Sequence, residues 1–82
     1  MSLSFKDLKP GGLYVTATSL ELWITAAVRP RIPEGTHFLV IEPVPRGWAL
    51  GGAGGRVYRV LIDGTVGNLL VGEGDVLLVE EA

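Results

Sequence analysis

The chain has 82 residues, no cysteine, a net charge of −2 and a hydrophobic fraction of 48%. That is enough for one hydrophobic core and too little for two, and without thiols neither a disulfide framework nor a thiolate metal site can hold it. The mild acidity gives no general attraction to nucleic acid or anionic lipid.

No apolar run reaches the length of a spanning helix. Residues Met1 to Leu8 lack the basic-then-apolar pattern of a signal peptide, so a cytoplasmic location is the expectation. A single domain over residues 1–82 is expected, with a radius of gyration of about 12 Å.

Twelve glycines and five prolines punctuate the chain at short intervals, as tight turns between strands require. Residues 1–12 form an N-terminal segment ending in a turn, Lys9-Pro10-Gly11-Gly12, where Pro presets φ and Gly admits positive φ. Leu13 to Thr18 reads as a strand, with Leu13, Val15 and Ala17 on one face and Tyr14, Thr16 and Thr18 on the other.

Leu20 to Val28 supports two readings. With period two, Leu20, Leu22 and Ile24 face inward; with helical period, Leu20, Trp23, Ile24, Ala27 and Val28 form a stripe behind Ser19 as N-cap. Its short length and β-branched content favour the strand. Arg29 to Gly35, with two prolines, is expected to hold no regular element.

Thr36 to Glu42 is the next strand, ended by Pro43, Val44 and Pro45. Residues 46–55 read as a flexible loop, because five glycines in ten residues make ordering costly. Arg56 to Ile62 and Thr65 to Leu70 are strands joined by Asp63-Gly64, the signal of a type I′ hairpin. Gly72 to Asp75 turns the chain again, and Val76 to Glu80 closes the sheet. Five or six short strands in so small a chain point to an all-β barrel, which removes exposed edges by closure.

The second half carries a family resemblance. Ile32-Pro-Glu-Gly-Thr-His-Phe-Leu-Val-Ile-Glu42 has a Gly-Thr turn launching an alternating strand. Val57 to Leu69 has an aromatic-basic-valine strand entering an Asp-Gly turn, and Val76 to Glu80 follows as a closing strand. These segments resemble the bacterial SH3-like domains, and the resemblance implies a small SH3-like barrel. Asn68 stands where that family usually carries Trp, and Leu20-Glu-Leu-Trp-Ile24 replaces its Asn-Val-Arg-Ser-Gly-Pro signature. The resemblance therefore implies the fold more than the ligand, and a shared fold does not fix function.

Catalysis needs a nucleophile, an acid–base pair or a metal, and the supply is thin. His37 is the only histidine and alternates away from Phe38, so it reads as a surface imidazole. Asp63 belongs to its turn; Asp7, Glu73 and Asp75 sit in other turns, and Glu80 and Glu81 in a solvated tail. Gly51 to Gly55 is no phosphate loop, since a strand follows it and neither Lys nor a hydroxyl accompanies it. No catalytic residue, metal site or cofactor is expected.

The remaining candidates concern binding. Trp48 either caps the barrel end or, beside Arg46, presents an anchor of the kind that dominates binding hot spots; Trp23 poses the same question. Arg29, Arg31, Arg46, Arg56 and Arg59 could converge to track phosphates, with Trp48 or Tyr58 stacking on bases, although Tyr58 is better placed as inward core.

If Phe38, Val40, Tyr58, Val60 and Ile62 point inward, then Leu39, Ile41, Val57 and Leu61 form an apolar outer face. Either the N-terminal segment covers that face through Phe5 and Leu8, or another protein, such as a second copy, does so. The expected function is a protein-interaction or assembly module using Leu39, Ile41, Val57, Leu61, Trp48 and Arg46, with single-stranded nucleic-acid binding as the alternative.

Overall fold

In the computed structural model the described residues are 8–44 and 56–80. Seven strands follow in chain order: β1 (Leu13–Thr16), β2 (Leu20–Trp23), β3 (Arg31–Ile32), β4 (His37–Pro43), β5 (Arg56–Ile62), β6 (Thr65–Val71) and β7 (Val76–Glu80). All neighbouring pairs are antiparallel, in the order β3-β2-β6-β5-β4-β1-β7. Among the described residues there is no helix, hence none long and apolar enough to cross a membrane. The radius of gyration is 11.4 Å.

The sheet is a curled half-barrel whose two edges, β3 and β7, do not pair with each other. Its curvature follows from chain length. In a flat sheet β3 and β4 would stand four strand spacings apart, about 19 Å. Five peptide steps from Ile32 to His37 reach at most about 18 Å even fully extended, and this link is shortened further by a turn with Gly35 at φ 87°. The sheet must bend to bring β3 round towards β4 and β1. Thr16 on β1 then fastens the link: its hydroxyl donates to the Pro33 carbonyl at 2.9 Å and accepts from the Thr36 amide at 3.0 Å.

Two expectations about elements are corrected. The strand count is seven, against five or six from the sequence, because β3 lies within the proline-flanked stretch expected to hold no regular element. Two residues suffice for it: Ile32 pairs with Leu20 and Arg31 with Glu21, while Pro30 contributes its carbonyl to Leu22 N–H at 2.8 Å. The segment 20–28 is a strand for its first four residues only. It then turns at Thr25, whose hydroxyl accepts from the amides of Ala27 and Val28. Ile24 is exposed as a result, not inward-facing.

The hairpin of β5 and β6 forms as expected. Asp63 and Gly64 have φ of 50° and 79°, the two positive values a type I′ turn demands. The turn at Pro10 closes with Gly12 N–H on the Lys9 carbonyl at 2.9 Å.

The concave side holds the core: Tyr14, Leu22, Ile32, Phe38, Val40, Tyr58, Val60, Ile62, Leu69, Val71 and Val76, with Leu8 entering beside them. Tyr14 stacks on Phe38 with ring centroids 5.9 Å apart. Both buried tyrosines keep their hydroxyls satisfied by tying down the incoming chain. Lys9 N–H donates to Tyr14 Oη at 2.9 Å and Leu8 N–H to Tyr58 Oη at 3.3 Å. The described residues leave no buried side-chain polar atom without a partner.

Candidate functional site

The convex side of the sheet brings most of the candidate residues together. Strand alternation puts Leu13, Leu39, Leu61 and Val66 on this face, and the register makes them successive neighbours: Leu13 opposite Leu39, Leu39 opposite Leu61, Leu61 opposite Val66. The result is an apolar row running straight across β1, β4, β5 and β6. Leu13, Leu39 and Leu61 are half-buried and Val66 is exposed. On one side of this row Val15 of β1 pairs with Leu77 of β7, extending the apolar surface to the sheet edge.

Ile41 is exposed and lies where the β4–β5 register slips between Val40 and Glu42. Val57 differs from its neighbours. It shares their outward parity and stands outside the core cluster, yet it is only 2% exposed, so it is not an open contact residue. Trp48 and Arg46 fall outside the described residues.

Sequence reasoning missed Leu13 and Val66 as members of the row. The signal for Val66 lay in the two-residue Asp63-Gly64 turn, which fixes Ile62 opposite Thr65 and therefore Leu61 opposite Val66. Leu13 carried no such signal, because its pairing with β4 joins distant parts of the chain.

A second, polar row crosses the same face beside the first. Glu42 pairs with Arg59, Arg59 with Asn68, and Asn68 with Trp23. Arg59 Nη1 lies 3.2 Å from Glu42 Oε2, both side chains being about half exposed. The Arg29 guanidinium covers the Trp23 ring at 4.5 Å from its centroid, a cation–π contact that orders the base of the β2–β3 hairpin. Arg31 reaches the Ser19 hydroxyl at 3.3 Å and stands opposite Glu21.

The five arginines therefore do not form one patch. Arg29, Arg31 and Arg59 share the outer face, where Arg59 is ion-paired with Glu42 and Arg31 is hydrogen-bonded to Ser19. Arg56 takes the opposite parity at the start of β5, and Arg46 is outside the described residues. His37 is exposed, as its alternation implied. Among the described residues no group of three or more His, Asp or Glu could hold a metal ion.

Compared with known protein families, with curated proteins and with solved structures, the chain shows no match.

Proposed function

We propose that this chain is a non-catalytic interaction or assembly module, built on an SH3-like barrel and self-associating through its outer sheet face. The SH3-like assignment rests on the sequence resemblance, and cytoplasm is the compartment the proposal assumes. The observation that carries it is the row Leu13–Leu39–Leu61–Val66. Four aliphatic side chains in register across four strands, none fully buried, are the wrong residues for a solvated face.

Two copies related by a two-fold axis would set one row on the other, each methylene removed from water contributing about 0.8 kcal/mol. The polar row of Glu42, Arg59 and Asn68 would form its rim, with Arg46 and Trp48 supplying further contacts from the loop.

The test is sedimentation velocity across a wide concentration range, on the parent and on the double variant Leu39→Lys/Leu61→Lys. Association in the parent that strengthens with kosmotropic salt and vanishes in the variant supports the proposal. A parent that stays monomeric at the highest concentration rejects it.

A second reading is favoured by one observation, the Arg29 guanidinium held over Trp23 in line with Arg59 on the same face. Such a strip would bind single-stranded nucleic acid by stacking and phosphate contact. Salt separates the two readings, since phosphate binding weakens steeply as salt rises while apolar association does not.

A further inference from the structure

The half-barrel leaves two edges, and they differ. β3 has two residues and lies between Pro30 and Pro33, so it offers almost no backbone to an incoming strand. β7 has five residues with neither proline nor lysine. Among the described residues, no strand pairs with its outer side.

Three successive aliphatic residues of β7 are open to solvent: Leu77 at 57%, Leu78 at 44% and Val79 at 47%. The backbone is oriented for pairing. Ala17 N–H bonds Asp75 C=O and Thr16 N–H bonds Thr36 C=O, so alternate residues of β1 face β7 and β4. By the same alternation Leu77 turns its N–H and C=O towards Val15, while Val76 and Leu78 turn theirs to the outer side of the sheet.

Charge selects the occupant. Glu73 and Asp75 precede the aliphatic run and Glu80 ends it. A second copy is disfavoured at this edge. Antiparallel overlap of the aliphatic residues brings the Glu73–Asp75 turn of one copy to the Glu80 end of the other, and parallel overlap sets Glu80 beside Glu80.

We propose that the outer edge of β7, unpaired among the described residues, receives by strand addition an extended segment of another protein that is apolar at its centre and basic at both ends. Backbone hydrogen bonds from Val76 and Leu78 would supply affinity, and the acidic residues that flank the run in the sequence would supply selectivity. The pairing uses the outward backbone of Val76 and Leu78 and does not depend on association through the outer face, although Leu77 borders both surfaces.

The test titrates the nitrogen-labelled full chain with an end-blocked peptide, Lys-Val-Thr-Val-Thr-Val-Lys, and with the same peptide bearing Glu at both ends. Saturable shifts and slowed exchange at the amides of Val76 and Leu78 are expected with the Lys-ended peptide. The Glu-ended peptide should bind about fivefold more weakly or worse, as two exposed ion pairs imply. Leu78→Lys should abolish the response while keeping dispersed resonances; should that variant not fold, Leu77→Lys, the most exposed of the three, replaces it.

Equal binding of the two peptides overturns the proposal. So do shifts centred on Leu39 and Leu61, the absence of saturable shifts, and β7 shifts that depend on chain concentration alone, which would mark a second copy as the occupant.

Discussion

Replacing Gly67 by Ala tests how closely β2 packs on the sheet. Gly67 lies on the inner side of β6, opposite Val60, and the Leu22 side chain crosses over it. A Cβ at this position would stand 2.8 Å from Leu22 Cδ1, 2.9 Å from Leu22 Cγ and 3.2 Å from the Trp23 carbonyl oxygen. Gly67 is not among the glycines with positive φ, so alanine meets a steric obstacle and no backbone strain. Restricting the unfolded chain favours Ala by about 0.4–1 kcal/mol, whereas overpacking costs about 1–3 kcal/mol. The expected net loss is about 1–2 kcal/mol, or about 5–10 °C in Tm for a chain of this size.

Leu22→Ala alone should cost about 2–5 kcal/mol. In that background the obstacle is gone, so adding Gly67→Ala should be neutral or stabilising by up to about 1 kcal/mol. The two sites would then be coupled by about 1–3 kcal/mol. Urea unfolding of the four proteins, followed by tryptophan fluorescence, gives the cycle. If Gly67→Ala destabilises equally in both backgrounds, Leu22 is not what requires glycine there, and the packing argument fails.

Thr16→Val keeps the shape of a buried side chain but removes both hydrogen bonds to the Pro33–Thr36 link. Chemical denaturation should show a loss of about 1–3 kcal/mol, chiefly from the Thr36 amide left without its acceptor; an unchanged midpoint would mean the link is held otherwise. Arg59→Ala breaks a half-exposed ion pair and should move stability by less than about 1 kcal/mol, with the difference fading as salt rises. Gly12→Ala puts a Cβ 2.8 Å from the Tyr14 ring and 3.0 Å from the Lys9 carbonyl. Amide exchange at Lys9 should speed up in that variant, because the Tyr14 hydroxyl that anchors Lys9 N–H is displaced.

The parts of the fold legible in the sequence are those governed by neighbours along the chain. Alternation in residues 37–43 and 56–62 identifies Phe38, Val40, Tyr58, Val60 and Ile62 as core, and all five are buried. Asp63-Gly64 fixes both the turn and the register of its hairpin. What stayed hidden depends on residues far apart. β2 pairs with β6 and β1 with β7, and no local pattern specifies either partner. β3 was hidden because prolines argue against a strand, although two residues between them can still pair. Alternation gave Val57 an outward parity, but parity does not report burial, and Val57 is enclosed. The Trp23–Arg29 stack needed the tight turn at Thr25 to bring its two residues face to face.

The pairing of β1 with β7 also has a mechanical consequence. Leu13, the first residue of β1, stands opposite Glu80, the last of β7, so tension applied through these two residues meets at one end of a single ladder. Tension from the front must first break the bonds that Leu8 and Lys9 donate to the two tyrosine hydroxyls. Beyond them the β1–β7 bonds are loaded one pair at a time, as in a zipper, and not all together in shear. The fold should therefore open at low force when pulled between Leu13 and Glu80. Pulled instead between Leu13 and Val76, the two residues that begin β1 and β7, it should resist much more strongly, because that direction shears the whole β1–β7 ladder at once. Equal forces in the two directions, measured on single molecules, would contradict this picture.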